Sequence, residues 1–159
     1  MKKLIILATL FIGLSSCTKH TVVISESDLK EDIFYLKDEI KPFSGTCLVY
    51  YDGTDQVKES LTFKNGILDG KAISYYECGS IKRKGNYKHG RLNGRWESWT
   101  EKGKKTYEVN YENDTLNGEA TVWFSSGVVK EKGLYAENHK SGVWVVYDEA
   151  GMILSKKNF

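Results

Sequence analysis

Proline is almost missing from this chain: Pro42 is the only one in 159 residues, which excludes a proline-rich linker or stalk. Long apolar runs are missing too. The longest, Leu4 to Leu14, covers eleven residues, well short of the ~20 a helix needs to cross a bilayer. Histidine is scarce. His20, His89 and His139 have no Cys or His at metal-ligand spacing, and Cys47 and Cys78 lie too far apart to make a good zinc set, so neither a metal nor another cofactor is expected. No glycine-rich loop leads into a helix, and Ser125-Ser126-Gly127 is a turn, without the G-x-S-x-G pattern of a nucleophile elbow. These absences leave no catalytic constellation, and the chain is not expected to be an enzyme. Charge of one sign is lacking as well. The chain has 23 Lys+Arg against 21 Asp+Glu, and removing Lys2 and Lys3 leaves equal numbers, so basicity gives no argument for nucleic acid.

The first sixteen residues are a different material from the rest. Lys2-Lys3 precede the apolar run, which ends in Leu14-Ser15-Ser16-Cys17. This has the shape of a secretory leader, and the small residues before the cysteine resemble a bacterial lipobox. Residues 1–16 are therefore expected to be a lipoprotein signal peptide and Cys17 the lipidated residue. Several acyl chains, at about 0.8 kcal/mol per buried CH₂, make such an anchor stable. The expected address is the bacterial cell envelope, lipid-anchored, with the outer membrane favoured because Thr18 is no inner-membrane retention signal by the enterobacterial rule. Cys47 and Cys78 would then share an oxidising compartment, where a disulfide, or a buried thiol and a turn residue, both remain open.

Residues 17–42 read as a tether and lead-in strands. Val22-Val23-Ile24 has strand character. Leu29, Ile33, Leu36 and Ile40 fall at helical spacing, against a strand-and-turn reading of Asp32 to Glu39; the strand reading leads more directly into the repeats beyond Pro42.

Residues 43–159 are abundant in glycine and aromatics, and both recur on a fixed period. Leading glycines are Gly45, Gly70, Gly94, Gly118 and Gly142. Turn glycines are Gly53, Gly79, Gly103, Gly127 and Gly151. Closing aromatics are Phe63, Tyr87, Tyr111, Tyr135 and Phe159. From the second repeat on, every interval is 24 residues. Each unit splits into two short strands joined at the turn glycine, and tight turns such as Asn65-Gly66 connect units. Two-residue turns set Phe63 opposite Leu68, Tyr87 opposite Leu92 and Tyr111 opposite Leu116. The expected fold is all-β: an elongated, single-layer antiparallel meander of about five 24-residue, two-stranded repeats.

Alternation sorts the side chains onto two faces. One carries Leu68, Leu92, Leu116, Trp96, Trp144, Cys47, Val49, Val122 and Val146, with Ile81, Val129, Ile153, Val109 and the closing aromatics added from the second strands. This face is expected to be the core. The other carries Lys71, Arg95, Glu119, Lys82, Lys130, Lys84 and Lys132, plus one aromatic per repeat: Tyr50, Tyr75, Trp99, Trp123 and Tyr147. Successive rings stand two strands, roughly 9–10 Å, apart. They are either structural, covered by the stems of Lys and Arg, or a stripe that binds an extended peptide or glycan by stacking. A single β-bulge would swap faces locally. The densest basic run (Lys82, Arg83, Lys84, Lys88, His89, Arg91, Arg95) reads as a solvated patch.

At Leu92-Asn93-Gly94-x-Trp96-x-x-Trp99, Gly103 and Tyr111, with equivalents from Leu68 through Phe159, the chain resembles the MORN-repeat superfamily, in particular the variant in YwqK-type antitoxin proteins and related bacterial lipoproteins. Lys41-Pro42-Phe43-Ser44-Gly45 is similar to the lead-in of such proteins. The resemblance implies a single-layered twisted antiparallel sheet and an interaction module, and no functional residue can be carried over from it. The expected function is a lipid-anchored envelope binding or scaffold module with a protein partner. Neutralisation of a partner toxin and glycan binding are the alternatives.

Overall fold

Short alternating stretches rich in Val, Ile, Thr, Tyr and Trp, punctuated by glycine, favour strands over helices throughout the repeat region. The computed structural model describes residues 21–24, 33–36 and 39–159 and forms them into one sheet of eleven strands. The leader 1–16, Cys17 and the tether to His20, with residues 25–32 and 37–38 of the lead-in, lie outside the described residues. The strands are β1 (Thr21–Ile24), β2 (Gly45–Tyr50), β3 (Val57–Lys64), β4 (Ile67–Tyr75), β5 (Ile81–Lys88), β6 (Arg91–Trp99), β7 (Lys105–Glu112), β8 (Thr115–Trp123), β9 (Val129–Ala136), β10 (His139–Tyr147) and β11 (Ile153–Asn158). Their order in the sheet is their order in the chain, and no helix occurs among the described residues. The expected meander is what forms.

The tight turns have the expected two-residue form. Asn65 and Gly66 have φ of 50° and 78°, and Asn113 and Asp114 have 49° and 68°. Two consecutive positive values define the type I′ hairpin turn that suits twisted strands. Phe63 then faces Leu68, Tyr87 faces Leu92 and Tyr111 faces Leu116. Each turn also bonds to the preceding repeat. The amides of Gly90, Asp114 and Asn138 donate to the carbonyls of Leu68, Leu92 and Leu116 at 2.8, 3.0 and 3.0 Å.

Three features depart from the simple meander. First, β1 pairs parallel to β2, with Val22 opposite Cys47 and Ile24 opposite Val49. Parallel neighbours need a long crossover instead of a hairpin, and Phe34 and Phe43, from the chain between them, lie on the sheet. The Phe34 amide donates to the Gly66 carbonyl at 2.8 Å, and the Gly66 amide donates to the Phe43 carbonyl at 2.7 Å. Second, the core is concentrated at this end. Val22, Ile24, Phe34, Phe43, Cys47, Val49 and Phe63 form one buried cluster, whereas Leu92 and Leu116 are only half-buried.

Third, each repeat carries a one-residue bulge. Ser98 faces Tyr107 and Trp99 faces Lys105, so Thr106 is the extra residue; Lys58, Lys82, Lys130 and Leu154 are its counterparts. The bulge moves Ile81, Val129 and Ile153 off the core face, opposite Tyr75, Trp123 and Tyr147. Assigning them to the core was therefore incorrect; Ile81 and Ile153 are 38% and 51% exposed. A second irregularity sits at the leading glycines of β4, β6, β8 and β10. In β6, for example, the three residues 94–96 stand against Gly85 alone, and the two extra residues leave the faces unchanged.

Candidate interaction surfaces

Tyr50, Tyr75, Trp99, Trp123 and Tyr147 are the last residues of β2, β4, β6, β8 and β10, and all five are half-buried. They form the row read from the sequence, because each precedes the bulge that rearranges its partner strand. Lysines cover several of the rings. Lys84 Nζ lies 5.1 Å from the Trp99 centroid, Lys105 Nζ 5.7 Å from Trp99 and 5.6 Å from Trp123, and Lys132 Nζ 5.7 Å from Tyr147. Tyr51 Oη donates to the Tyr75 carbonyl at 2.7 Å and Tyr76 Oη to the Trp99 carbonyl at 2.9 Å, which pins two ring-bearing residues from behind.

Beside Trp99 and Trp123 lies an ion network that sequence reading missed. Lys105 donates to Glu97 at 2.6 Å and to Glu108 at 2.7 Å; Lys84 reaches Glu97 at 3.0 Å and Arg95 reaches Glu108 at 3.3 Å. Burial alone would raise the Glu97 pKa, but hydrogen bonds and charge from Lys105 and Lys84 hold it below the ordinary carboxylate range. Burial alone would lower the Lys105 pKa, but hydrogen bonds and charge from Glu108 and Glu97 hold it above the usual ammonium value. Only the bulge at Thr106 turns Lys105 toward Trp99.

Alternation splits the basic run between the two faces. Lys84 stands opposite Glu97, while Arg83 stands opposite Ser74 and Ser98 on the other face. On that face Trp96 and Trp144 lie flat over Gly85 and Gly133 and are 5% and 3% exposed. Their indole N–H groups donate to the carbonyls of Asn86 and Leu134 at 3.2 and 2.9 Å, and Tyr87 and Tyr135 meet them edge-on at 5.3 and 5.0 Å. Between the N-terminal core and Trp96 is a groove of about 420 Å³, floored by Leu61, Leu68 and Ala72 and flanked by Glu59, Ser74, Arg83 and Tyr87.

Cys47 and Cys78 are both free thiols. Burial pushes Cys47 up to about 12, while exposed Cys78 sits in a turn with its Sγ 3.1 Å from Ser80 Oγ.

With this geometry in place, comparison with known families is specific. Residues 68–89, 92–113 and 116–137 each match the model of the MORN repeat variant. The matched segments are the second to fourth repeats, each running from the leading Leu to the first residue of the tight turn that follows its closing Tyr. Repeats of this kind are generally involved in protein or membrane interactions. No curated protein matches the chain at a significant level.

Proposed function

We propose that this MORN-repeat sheet is a non-enzymatic binding module, tethered through lipid on Cys17 to the bacterial cell envelope, that holds a protein partner on the face of Tyr50, Tyr75, Trp99, Trp123 and Tyr147. The carrying observation is the Trp99–Trp123 pair with Lys105 between the rings. No element covers this face among the described residues, since all eleven strands lie in one sheet. Half-buried rings at roughly 9–10 Å intervals give contact area at low conformational cost. The Glu97–Lys105–Glu108 network fixes the charges around them, so the surface is preorganised. A flat, extended surface with aromatic anchors and a polar surround suits a folded protein partner.

The tether rests on the apolar run Leu4 to Leu14 followed by Ser15-Ser16-Cys17. It supports the finer reading as a lipoprotein form of the YwqK-type proteins, facing the periplasm or the surface from the outer membrane.

A photo-reactive residue at position 123, introduced into cells, tests the partner. One discrete cross-linked species that disappears with Trp99→Ala, while circular dichroism is unchanged, is the expected result. Cross-linking no stronger than from position 155, which faces Val146 on the opposite side of the sheet, or unaffected by Trp99→Ala, would remove this face as the docking site. Specific retention on a glycan matrix, lost in the same variant, would replace the protein partner with a glycan. Cys17→Ser should release the protein from membranes or block its maturation; a processed variant still bound to membranes would exclude the anchor.

A further inference from the structure

The groove on the opposite face has a chemical character of its own. Its floor is apolar, and its flank carries the row Glu59–Ser74–Arg83, consecutive cross-strand partners on β3, β4 and β5. Arg83 is exposed, yet its guanidinium is held by two rings, 5.4 Å from the Trp96 centroid and 5.9 Å from that of Tyr107. Among the described residues it makes no ion pair.

The array contains its own control. Trp96 over Gly85 beside Ala72 is repeated 48 residues on by Trp144 over Gly133 beside Ala120. There Glu131 occupies the place of Arg83 and Lys140 that of Leu92. Lys140 is ion-paired with Glu131 and lies 3.9 Å from the Trp144 centroid. The second copy thus neutralises its charge internally. The first presents an oriented guanidinium beside an apolar hollow.

A planar guanidinium with fixed orientation matches a carboxylate with two parallel hydrogen bonds. An apolar floor of this size accepts one large side chain. The Ser74 and Tyr87 hydroxyls beside it can meet peptide groups. We propose that this groove takes the C-terminal residue of a partner polypeptide, with its α-carboxylate on Arg83 and an apolar side chain over Leu61, Leu68 and Ala72. This site is independent of the aromatic row, which lies on the other face.

A library of random heptapeptides with free C termini, presented to the purified protein, tests it. Enrichment of an apolar last residue is expected. The best peptide should bind at least ten-fold more tightly than its C-terminal amide, and should shift the amide resonances of Ala72, Ser74 and Arg83. Arg83→Gln, checked by thermal melting, should bring the acid down to the level of the amide. Arg83→Lys should recover only part of the difference, because an ammonium keeps the charge without the fork. No enrichment at the last position, equal binding of acid and amide, a preference that survives Arg83→Gln, or equally tight binding of octanoate would each overturn the proposal.

Discussion

Trp96 and Trp99 sit three residues apart on β6 and do opposite work. Trp96 is buried, hydrogen-bonded through its indole and packed on Gly85, so Trp96→Ala should cost about 3–5 kcal/mol. Trp99 is half-buried beneath Lys84 and Lys105, and Trp99→Ala should cost less than about 2 kcal/mol. Urea denaturation of the two variants checks the order; equal losses would mean that Trp99 is structural. Glu97 between them makes stability pH-dependent. Its folded-state pKa is depressed, so its contribution is complete above the ordinary carboxyl value of about 4.3 and is lost as the pH falls through the folded value. Lys105 acts in the opposite range. Its contribution is complete below about 10.4 and is lost as the pH rises through its raised folded value. Melting temperatures should therefore fall at both ends, and Glu97→Gln should flatten the acid limb. An unchanged acid limb would show that the network adds nothing.

At the scale of the strand, two kinds of glycine shape the sheet for different reasons. A Cβ on Gly85 would lie 2.2 Å from Trp96 Cδ2, against a ring already fixed by its N–H bond. Gly94 has open space around it but a φ of +77°, which L residues reach at a cost of about 1–2 kcal/mol. Gly85→Ala should destabilise by about 1–3 kcal/mol through overpacking, and that penalty should shrink in a Trp96→Ala background. The Gly94→Ala penalty should persist there. A double-mutant cycle by chemical denaturation separates the two, and a Gly85 penalty that did not couple to Trp96 would refute the packing account. The leading-glycine row that holds Gly94 was visible in the sequence as a periodic mark, as were the hairpin turns and the register of Tyr87 with Leu92. The one-residue bulges were not, because Lys58, Lys82, Thr106, Lys130 and Leu154 share no residue type that announces an unpaired position. Ile81 and Ile153 were misplaced for that reason. The aromatic row stayed legible because its residues lie just before each turn, on the strand without the extra residue. The groove was hidden by a stronger assumption, that the face holding Leu68, Ala72 and Trp96 is a closed core. Recognising it required knowing that Phe34 and Phe43 cover only the N-terminal end.

Across the whole molecule, stability is distributed along one axis. Each strand pairs only with its neighbours in sequence, so every repeat is supported by nearest-neighbour interfaces and not by a common core. The buried cluster of Val22, Ile24, Phe34, Phe43, Cys47, Val49 and Phe63 lies at one end, whereas all six residues of β11 are exposed at the other. Local opening costs least where few apolar groups are buried. Amide hydrogen exchange should therefore show its strongest protection in β2–β4 and its weakest in β11. The fall between them should be interrupted at β6 and β10, where Trp96 and Trp144 are buried. Trp144→Ala should lower protection in β9 to β11 while leaving β2–β4 unchanged, because the array transmits a loss only through successive interfaces. Uniform protection from β2 to β11, or a Trp144→Ala effect that reaches β3, would instead require one cooperative unit spanning the sheet.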